Sequence, residues 1–388
     1  MNGQGAAARI PFTSAALRYR ELFHTRTGIT LGAAAQDVSP PGNAIKSYGY
    51  LRRLLLVVTG SGGSGGALAA DAPWNFFSQI SVTQPNGEEM FGGPTFTGYH
   101  AFLAALNSGR YLNDNPLTWP SFVGSAPNFR FVLPIDFEID TEHGVGALPN
   151  QDFSAPWKLQ LTVNTSSAVF QTAPTTAPTF TVEAYIDCWT VPSPTNPLNP
   201  SIQQEVAPPL LGTLSKWSLQ QYTVPASSAF NVLLQRKGNA IRNLVFVIRN
   251  SAGARLATTV FPKPLAVRWD GVVIRASDDP LLIVDDEYRV RGGEAAATPV
   301  TPQAGVMAIK MSDIAGIDVQ GAGENFGMGS FWGTVQSSTL DISGTWGAAA
   351  ATLEVLTNDV QFVDLAGNPY AFAYGGYLQA PAQAGARP

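Results

Sequence analysis

Apolar residues along this chain fall on alternate positions, in short runs bounded by Gly, Pro, Asn and Ser, and the runs come in two series. The first series is residues 50–59 (YLRRLLLVVT), 74–82 (WNFFSQISV), 129–138 (FRFVLPIDFE), 157–164 (WKLQLTVN) and 180–189 (FTVEAYIDCW). The second is 240–249 (AIRNLVFVIR), 265–274 (LAVRWDGVVI), 306–311 (VMAIKM), 339–346 (TLDISGTW) and 352–360 (TLEVLTNDV), and it opens again on a strand with a basic residue inside it. In 157–164, Trp157, Leu159, Leu161 and Val163 take one side while Lys158, Gln160, Thr162 and Asn164 take the other. Successive strand side chains point to opposite faces, so this is the pattern of a half-buried strand. Phe129, Phe131, Leu133, Ile135 and Phe137 alternate in the same way, as do Leu244, Phe246 and Ile248. The pattern predicts two tandem antiparallel β-sandwiches rather than a parallel α/β sheet.

One internal helix is expected, over residues 95–107 (TFTGYHAFLAALN), with Phe96, Tyr99, Leu103 and Leu106 near one face, Pro94 before it and Gly109 after it. Residues 190–209 carry six prolines and little apolar periodicity, which suits a link between the sandwiches. Ahead of the first strand, residues 14–24 (SAALRYRELFH) predict a short helix with Ser14 as N-cap and Leu17, Leu22 and Phe23 on one side. So few turns do not repay helix nucleation, so this segment is expected to order only on docking. The resulting division is an N-terminal arm over 1–45, a first sandwich over 46–192, a linker over 193–209, a second sandwich over 210–375 and a tail over 376–388.

Composition supports a loop-rich β protein. The 388 residues suit two cores of ordinary size, Gly (38) and Pro (29) are abundant, and only 13% of residues are charged. That fraction does not solvate a wide surface, so broad faces are expected to be covered by neighbours. The single cysteine, Cys188, excludes an intramolecular disulfide framework and a Cys-based zinc site, and its place beside Val182 and Ile186 predicts a buried core thiol. The longest apolar run, 54–58, is too short to span a bilayer, and no signal-peptide pattern is read at Met1.

Charge is distributed lengthwise. Up to Arg53 there are seven basic residues against Glu21 and Asp37, a net +5, which leaves −10 for the rest of a chain whose total is −5. A basic arm on an acidic body points to a negative surface, whether phospholipid headgroups, nucleic acid or an acidic partner; a solvated tail with chance arginines is the alternative. The candidate contact residues are Arg9, Arg18, Arg20, Leu22, Phe23 and Arg26. Because the arm belongs to neither strand series, removal of residues 1–28 is expected to leave both sandwiches folded.

Catalytic signatures are sparse. His24, His100 and His143 lie far apart, so neither a histidine metal cluster nor an H-E-x-x-H helix can be assembled, and His100 on the internal helix reads as structural. Glu88 with Glu89, Asp278 with Asp279, and Asp285, Asp286 and Glu287 sit beside turns and read as solvated loop charge rather than a glycosidase pair. His143 beside Glu142 is the remaining candidate. Residues 60–66 (GSGGSGG) lack the lysine and hydroxyl of a phosphate loop and read as a surface loop. No catalytic, cofactor or metal residues are assigned.

The doubled sandwich, the basic arm, the helix inside the first unit and the proline-rich link together resemble the double jelly-roll major capsid proteins of tailless icosahedral viruses, the tectivirus type of bacteriophage in particular. The most specific piece is a strand containing Leu133, Pro134 and Ile135, an acidic turn at Asp140 and Thr141, then Gly146 to Asn150 (GALPN), then the WKLQLTVN strand. The second unit departs from the first in lacking an obvious counterpart of the 95–107 helix. The resemblance implies an all-β double jelly roll without catalysis or cofactor. It further implies a homotrimer of pseudo-hexameric outline that tiles an icosahedral shell, made in the host cytoplasm and resident in the virion. Neighbouring capsomers, internal membrane lipids, and penton or minor capsid proteins are the implied partners, with no sequence-specific nucleic acid. Two rival readings are a trimeric phage spike and a carbohydrate-binding β-sandwich with Trp119, Trp217, Trp332 and Trp346 as stacking platforms.

Overall fold

The computed structural model describes residues 9–108, 119–120, 129–139, 143–226, 228–235, 240–277, 279, 281–282, 304–310, 332–333, 339–347 and 349–361. The first unit contains α1 (Phe12–Ala15), β1 (Arg18–Ile29), β2 (Tyr50–Ser61), β3 (Phe77–Thr83), β4 (Glu89–Gly93), α2 (Gly98–Asn107), β5 (Phe129–Asp136), β6 (Lys158–Val163) and β7 (Thr179–Trp189). The second contains β8 (Leu214–Val224), β9 (Ser228–Leu233), β10 (Ala240–Asn250), β11 (Leu265–Trp269), β12 (Val272–Ser277), β13 (Val306–Lys310), β14 (Leu340–Trp346) and β15 (Ala351–Gln361). Both series of runs therefore supply strands of two antiparallel sandwiches, although in the run 74–82 Trp74–Phe76 is a 3-10 turn and the strand starts only at Phe77.

Three sheets carry the architecture. One orders β1–β7–β2–β5, and another orders β9–β14–β11–β12. Between them a nine-stranded sheet runs β6–β3–β4 and then β8–β15–β10–β13, joined at a single parallel pair, Phe91 with Trp217. The two sandwiches thus share one continuous inner sheet. β10 shows why its sequence is apolar at nearly every position: Leu244, Phe246 and Ile248 enter the core of the second sandwich. Val245 and Val247 on its other face join the core of the first.

α2 fills the space between the units. All ten of its residues are buried, not only the expected stripe, because it packs on β3 and β5 from one side and on β10 and β15 from the other. A helix covered all round is apolar all round, as YHAFLAAL is. It begins three residues later than Pro94 suggests. The backbone N–H of Thr97 donates to His100 Nδ1 at 3.0 Å, which makes Thr97 the N-cap.

Two expectations are corrected. Residues 18–24 do not form a helix: Arg18–Ile29 is a twelve-residue strand paired antiparallel with β7, from Arg18 opposite Trp189 to Ile29 opposite Phe180. Tyr19, Glu21 and Phe23 are half-buried while Arg18, Arg20 and Leu22 are exposed, a period of two that the arm's arginines disguise. The open edge of β7 supplies ladder hydrogen bonds that so short a helix could not match. Only Phe12–Ala15 upstream is helical. Residues 265–274, read as one strand, are the hairpin β11–β12, turned at Asp270 and Gly271 with φ of 47° and 80°. An Asp-Gly pair with positive φ at both positions is the favoured two-residue hairpin turn.

Candidate functional site

The sequence places its contact residues in one arm, but β1 spreads them along a strand. Arg9, Arg18 and Arg20 lie where β1 starts and β7 ends, which we term the base of the first sandwich. Arg26 lies opposite Val182, well along the strand toward the other end, and is exposed. Leu22 is exposed, and Phe23, at a β-bulge between Leu22 and His24, packs partly against the core. Arg9 donates from Nε to Gln203 Oε1 at 3.2 Å, and Arg18 lies over the Trp189 ring.

Beneath these side chains the base is built on a buried ionic network. Arg52 donates from Nε to Glu138 Oε2 at 2.9 Å and from Nη1 to Asp187 Oδ1 at 3.3 Å. Asp187 Oδ2 also accepts from Arg53 at 2.9 Å and from Arg20 at 3.0 Å. Burial alone would raise the Asp187 pKa, but the hydrogen bond from Arg20 and the charges of Arg53 and Arg52 hold it below the usual carboxylate range. Trp189 donates from Nε1 to Glu138 Oε1 at 2.7 Å, and Phe12 packs edge-on to Trp189 and Tyr50. Cys188 beside them is fully buried, and burial pushes its thiol up to about 12, so it is inert at neutral pH.

The proline-rich link is anchored to this base rather than trailing from it. Residues 195–196 and 199–203 form a small hairpin, Ile10 bridges Gln204, and Tyr50 Oη donates to the Val206 carbonyl at 3.1 Å. Gly49 marks the tightest point, with φ +50°, where a Cβ would lie 2.0 Å from the Trp189 carbonyl oxygen. Gly49→Ala is expected to destabilise the protein by about 3 kcal/mol, combining positive-φ strain with a backbone clash, and thermal unfolding measures it.

The base also carries residues that the alternation did not single out. Leu17, Phe153 and Leu198 are 72%, 86% and 96% exposed. The Leu17 carbonyl accepts from the Thr190 N–H and the Leu17 N–H donates to Thr190 Oγ1, while the carbonyl of Asp152, next to Phe153, accepts from Ser47 Oγ. Their signal in the sequence is an apolar residue isolated among turn formers, as in QDFSAP and TNPLNP, where no strand exists to bury it.

The chemical candidates disperse. Glu88 pairs with Lys216 and Glu89 accepts from Ser81 Oγ, so the two carboxylates serve different partners. Asp279 pairs with Lys263, and His143 is exposed. Asp278, Asp285, Asp286, Glu287 and Glu142 lie outside the described residues. Among the described residues there is no group of three or more His, Cys, Asp or Glu placed to hold a metal, and no helix long and apolar enough to cross a membrane. Trp217 and Trp346 are buried in the cores and are not sugar platforms; the side chains of Trp119 and Trp332 lie outside the description.

A second buried cluster joins the units. Glu354 on β15 accepts from Arg249 Nε at 2.7 Å, from Gln221 Nε2 at 3.1 Å and from His100 Nε2 at 3.1 Å. Because His100 Nδ1 accepts the Thr97 N–H, its proton sits on Nε2, facing Glu354. Arg249 reaches on to Asp71 at 2.7 Å, and Arg255 pairs with Asp71 at 2.6 Å, both guanidinium groups lying over the Tyr99 ring. His100 is therefore a structural residue that ties α2 to the second unit's sheet.

No protein-family model matches the chain, and no curated protein matches it either. Solved structures do. The chain is similar to a subunit of the atomic structure of Sulfolobus Turreted Icosahedral Virus, with 13% identity, a TM-score of 0.59 and 95% of each chain covered. It is similar to the PBCV-1 virus capsid, with 12% identity, a TM-score of 0.55, and 92% of this chain and 96% of that one covered. The Faustovirus major capsid protein matches at 10% identity and a TM-score of 0.50, over 94% of this chain and 92% of that one. These are double jelly-roll capsid proteins, and the double jelly roll is the fold of this chain.

Proposed function

We propose that this chain is the major capsid protein of an icosahedral virus, of the tectivirus-like kind, and that it acts as a homotrimer of pseudo-hexameric outline that tiles the shell. The observation that supports this reading most is full-length likeness: both jelly rolls, with no large remainder on either side, superpose on capsid subunits. A shared inner sheet and a buried helix between the units make two wedges into one rigid block. Two similar wedges per subunit let a threefold assembly present six sides to its neighbours. In this reading residues 46–192 and 210–375 are the jelly rolls, β1 completes the first, and 193–209 links them. The protein's role is structural, without catalysis, and its base faces a partner or membrane through Arg9, Arg18 and Arg20, with Leu22, Phe23 and Arg26 higher along β1.

The outer face of the first sheet supports self-association. Leu55, Val57 and Val132 on β2 and β5 are only half-buried in the single chain, and neighbouring Leu22 is exposed. Purified protein is expected to be a trimer at micromolar concentration across moderate salt, with a hexagonal outline in negative stain. A monodisperse monomer by light scattering would overturn the reading.

A further inference from the structure

We propose that residues 362–378, which follow the last strand, dock on the linker hairpin of their own chain, with Tyr370, Phe372 and Tyr374 covering Leu198 and Ile202. The hairpin is a structure without a cover. Among the described residues the strand Asn199–Gln203 pairs only with Thr195–Asn196, and all five of its residues are exposed. Leu198 at its turn and Ile202 on the strand are exposed as well, and so are Val206 and Leu211 further along the linker. A two-stranded hairpin by itself is marginal in water and is held by a third strand or a packed layer. Ile10, bridged to Gln204, supports its last residue and leaves the apolar ones bare.

Topology starts the segment at this place. β8 and β15 are antiparallel, and their ladder ends where Leu214 stands opposite Gln361. The linker enters the sheet at Leu214 and the segment leaves it at Gln361, so both are tethered to one end of one ladder. Leu198 lies as many residues before Leu214 as Tyr377 lies after Gln361. The stretch from Gln361 to Tyr370 alone spans up to roughly 30 Å when extended, which is ample reach. Its chemistry matches the surface. Residues 370–374 read YAFAY, aromatic at alternate positions with alanine between, the pattern of a strand with one large apolar face. Asp364 and Arg387 are the only charged residues of 362–388, and Glu205 is the only one of 190–211, so the two meet without desolvating ions. Left in water, an uncharged stretch of such β-propensity is an aggregation hazard, which docking removes. A tether this short holds the segment at an effective concentration in roughly the millimolar range, which favours its own hairpin over that of a second copy.

The contact does not depend on the shell reading, since a monomer and a trimer would carry it alike. Full-length protein with the photo-crosslinking amino acid p-benzoylphenylalanine in place of Leu198 is irradiated, and the joined peptide is identified by mass spectrometry. The cross-link is expected to fall within 362–378 of the same chain, so that the product keeps the mass of one chain on a denaturing gel. Hydrogen exchange supplies the second arm. In the triple variant Tyr370→Ser, Phe372→Ser, Tyr374→Ser, amides between Asn196 and Gln204 are expected to exchange about tenfold faster than in the parent, while those of β8 and β15 keep the parental rate. Should β8 and β15 also exchange faster, Phe372→Ser alone replaces the triple variant. A cross-link to any other part of the chain overturns the proposal, as does hairpin exchange that the aromatic substitutions leave unchanged. A product with the mass of two chains, joined through 362–378, overturns it too, because the segment would then cover a second copy.

Discussion

Glu354→Ala is expected to lower the stability of the protein by about 3–5 kcal/mol, the cost of stripping one partner from a buried ion pair. Glu354 is 4% exposed and accepts from Arg249, Gln221 and His100 together. Without it, Arg249 keeps the Gly253 carbonyl and Asp71, the latter already shared with Arg255, and the His100 Nε2–H loses its acceptor at the surface where α2 meets β15. Glu354→Gln retains an acceptor oxygen but not the charge, so an intermediate loss is expected. The same group sets an acid limit. Burial would raise its pKa, but the hydrogen bond from His100 and the charge and hydrogen bond of Arg249 overcome this and hold it at about 2, against 4.5 for the free side chain. A depressed carboxylate stabilises the fold above its unfolded pKa and loses that contribution as pH falls through the folded value. The contribution is complete above about pH 5 and drains toward pH 2, and it is worth roughly 3 kcal/mol. Asp187 acts with the same sign at the base. Chemical denaturation of parent and Glu354→Ala between pH 7 and about pH 3 should show the gap between them closing in acid. A gap under about 1 kcal/mol at neutral pH would show that the cluster does not tie the units together.

Alternation made most of the strands legible because each core faces one side only: 157–164 and 180–189 show their burial in their letters. Where that condition fails, the letters tell less. β10 is buried on both faces, and its role as the wall between the two cores is visible only once β15 and α2 are placed beside it. β8 (LSKWSLQQYTV) alternates weakly, since its partners are strands rather than a continuous core, and no strand was expected there. β1 was hidden by charge: a strand at the sheet edge can carry Arg18, Arg20 and Arg26 outward, and the same residues in isolation read as a basic arm. The hairpin at Asp270 and Gly271 is marked in the sequence by an Asp-Gly pair, but the apolar run on both sides of it masks the turn. The clamp at Glu354 had no local signal, because His100, Arg249 and Glu354 are brought together only by the sheet. The base was half legible. Its arginines are conspicuous in the sequence, whereas Phe153 and Leu198 gain meaning only from having no core to enter.

Removal of residues 1–28 is expected to abolish cooperative folding of the first sandwich, the reverse of what the arm reading implies. The deletion takes nearly all of β1, whose ladder covers the edge of β7 from Trp189 to Phe180. That edge would then present a row of open N–H and C=O groups beside an apolar core, a template for aggregation. Asp187 would lose Arg20, Trp189 would lose the covering contacts of Phe12 and Arg18, and Phe23 would leave the margin of the core. Together these losses are comparable with the whole stability of an ordinary domain, about 5–15 kcal/mol. A shorter deletion, residues 1–16, removes Phe12 and Ala16 but keeps every pair of the β1–β7 ladder. It should melt cooperatively, lowered only by the loss of a buried phenylalanine, about 3–5 kcal/mol. Circular dichroism on heating, read beside light scattering, separates the two: a shifted but sharp transition for the short deletion, and a broad transition with aggregation for the long one. A sharp transition at the parental temperature for the long deletion would mean that β1 contributes nothing to the sheet, and that the arginines along it belong to a detachable arm after all.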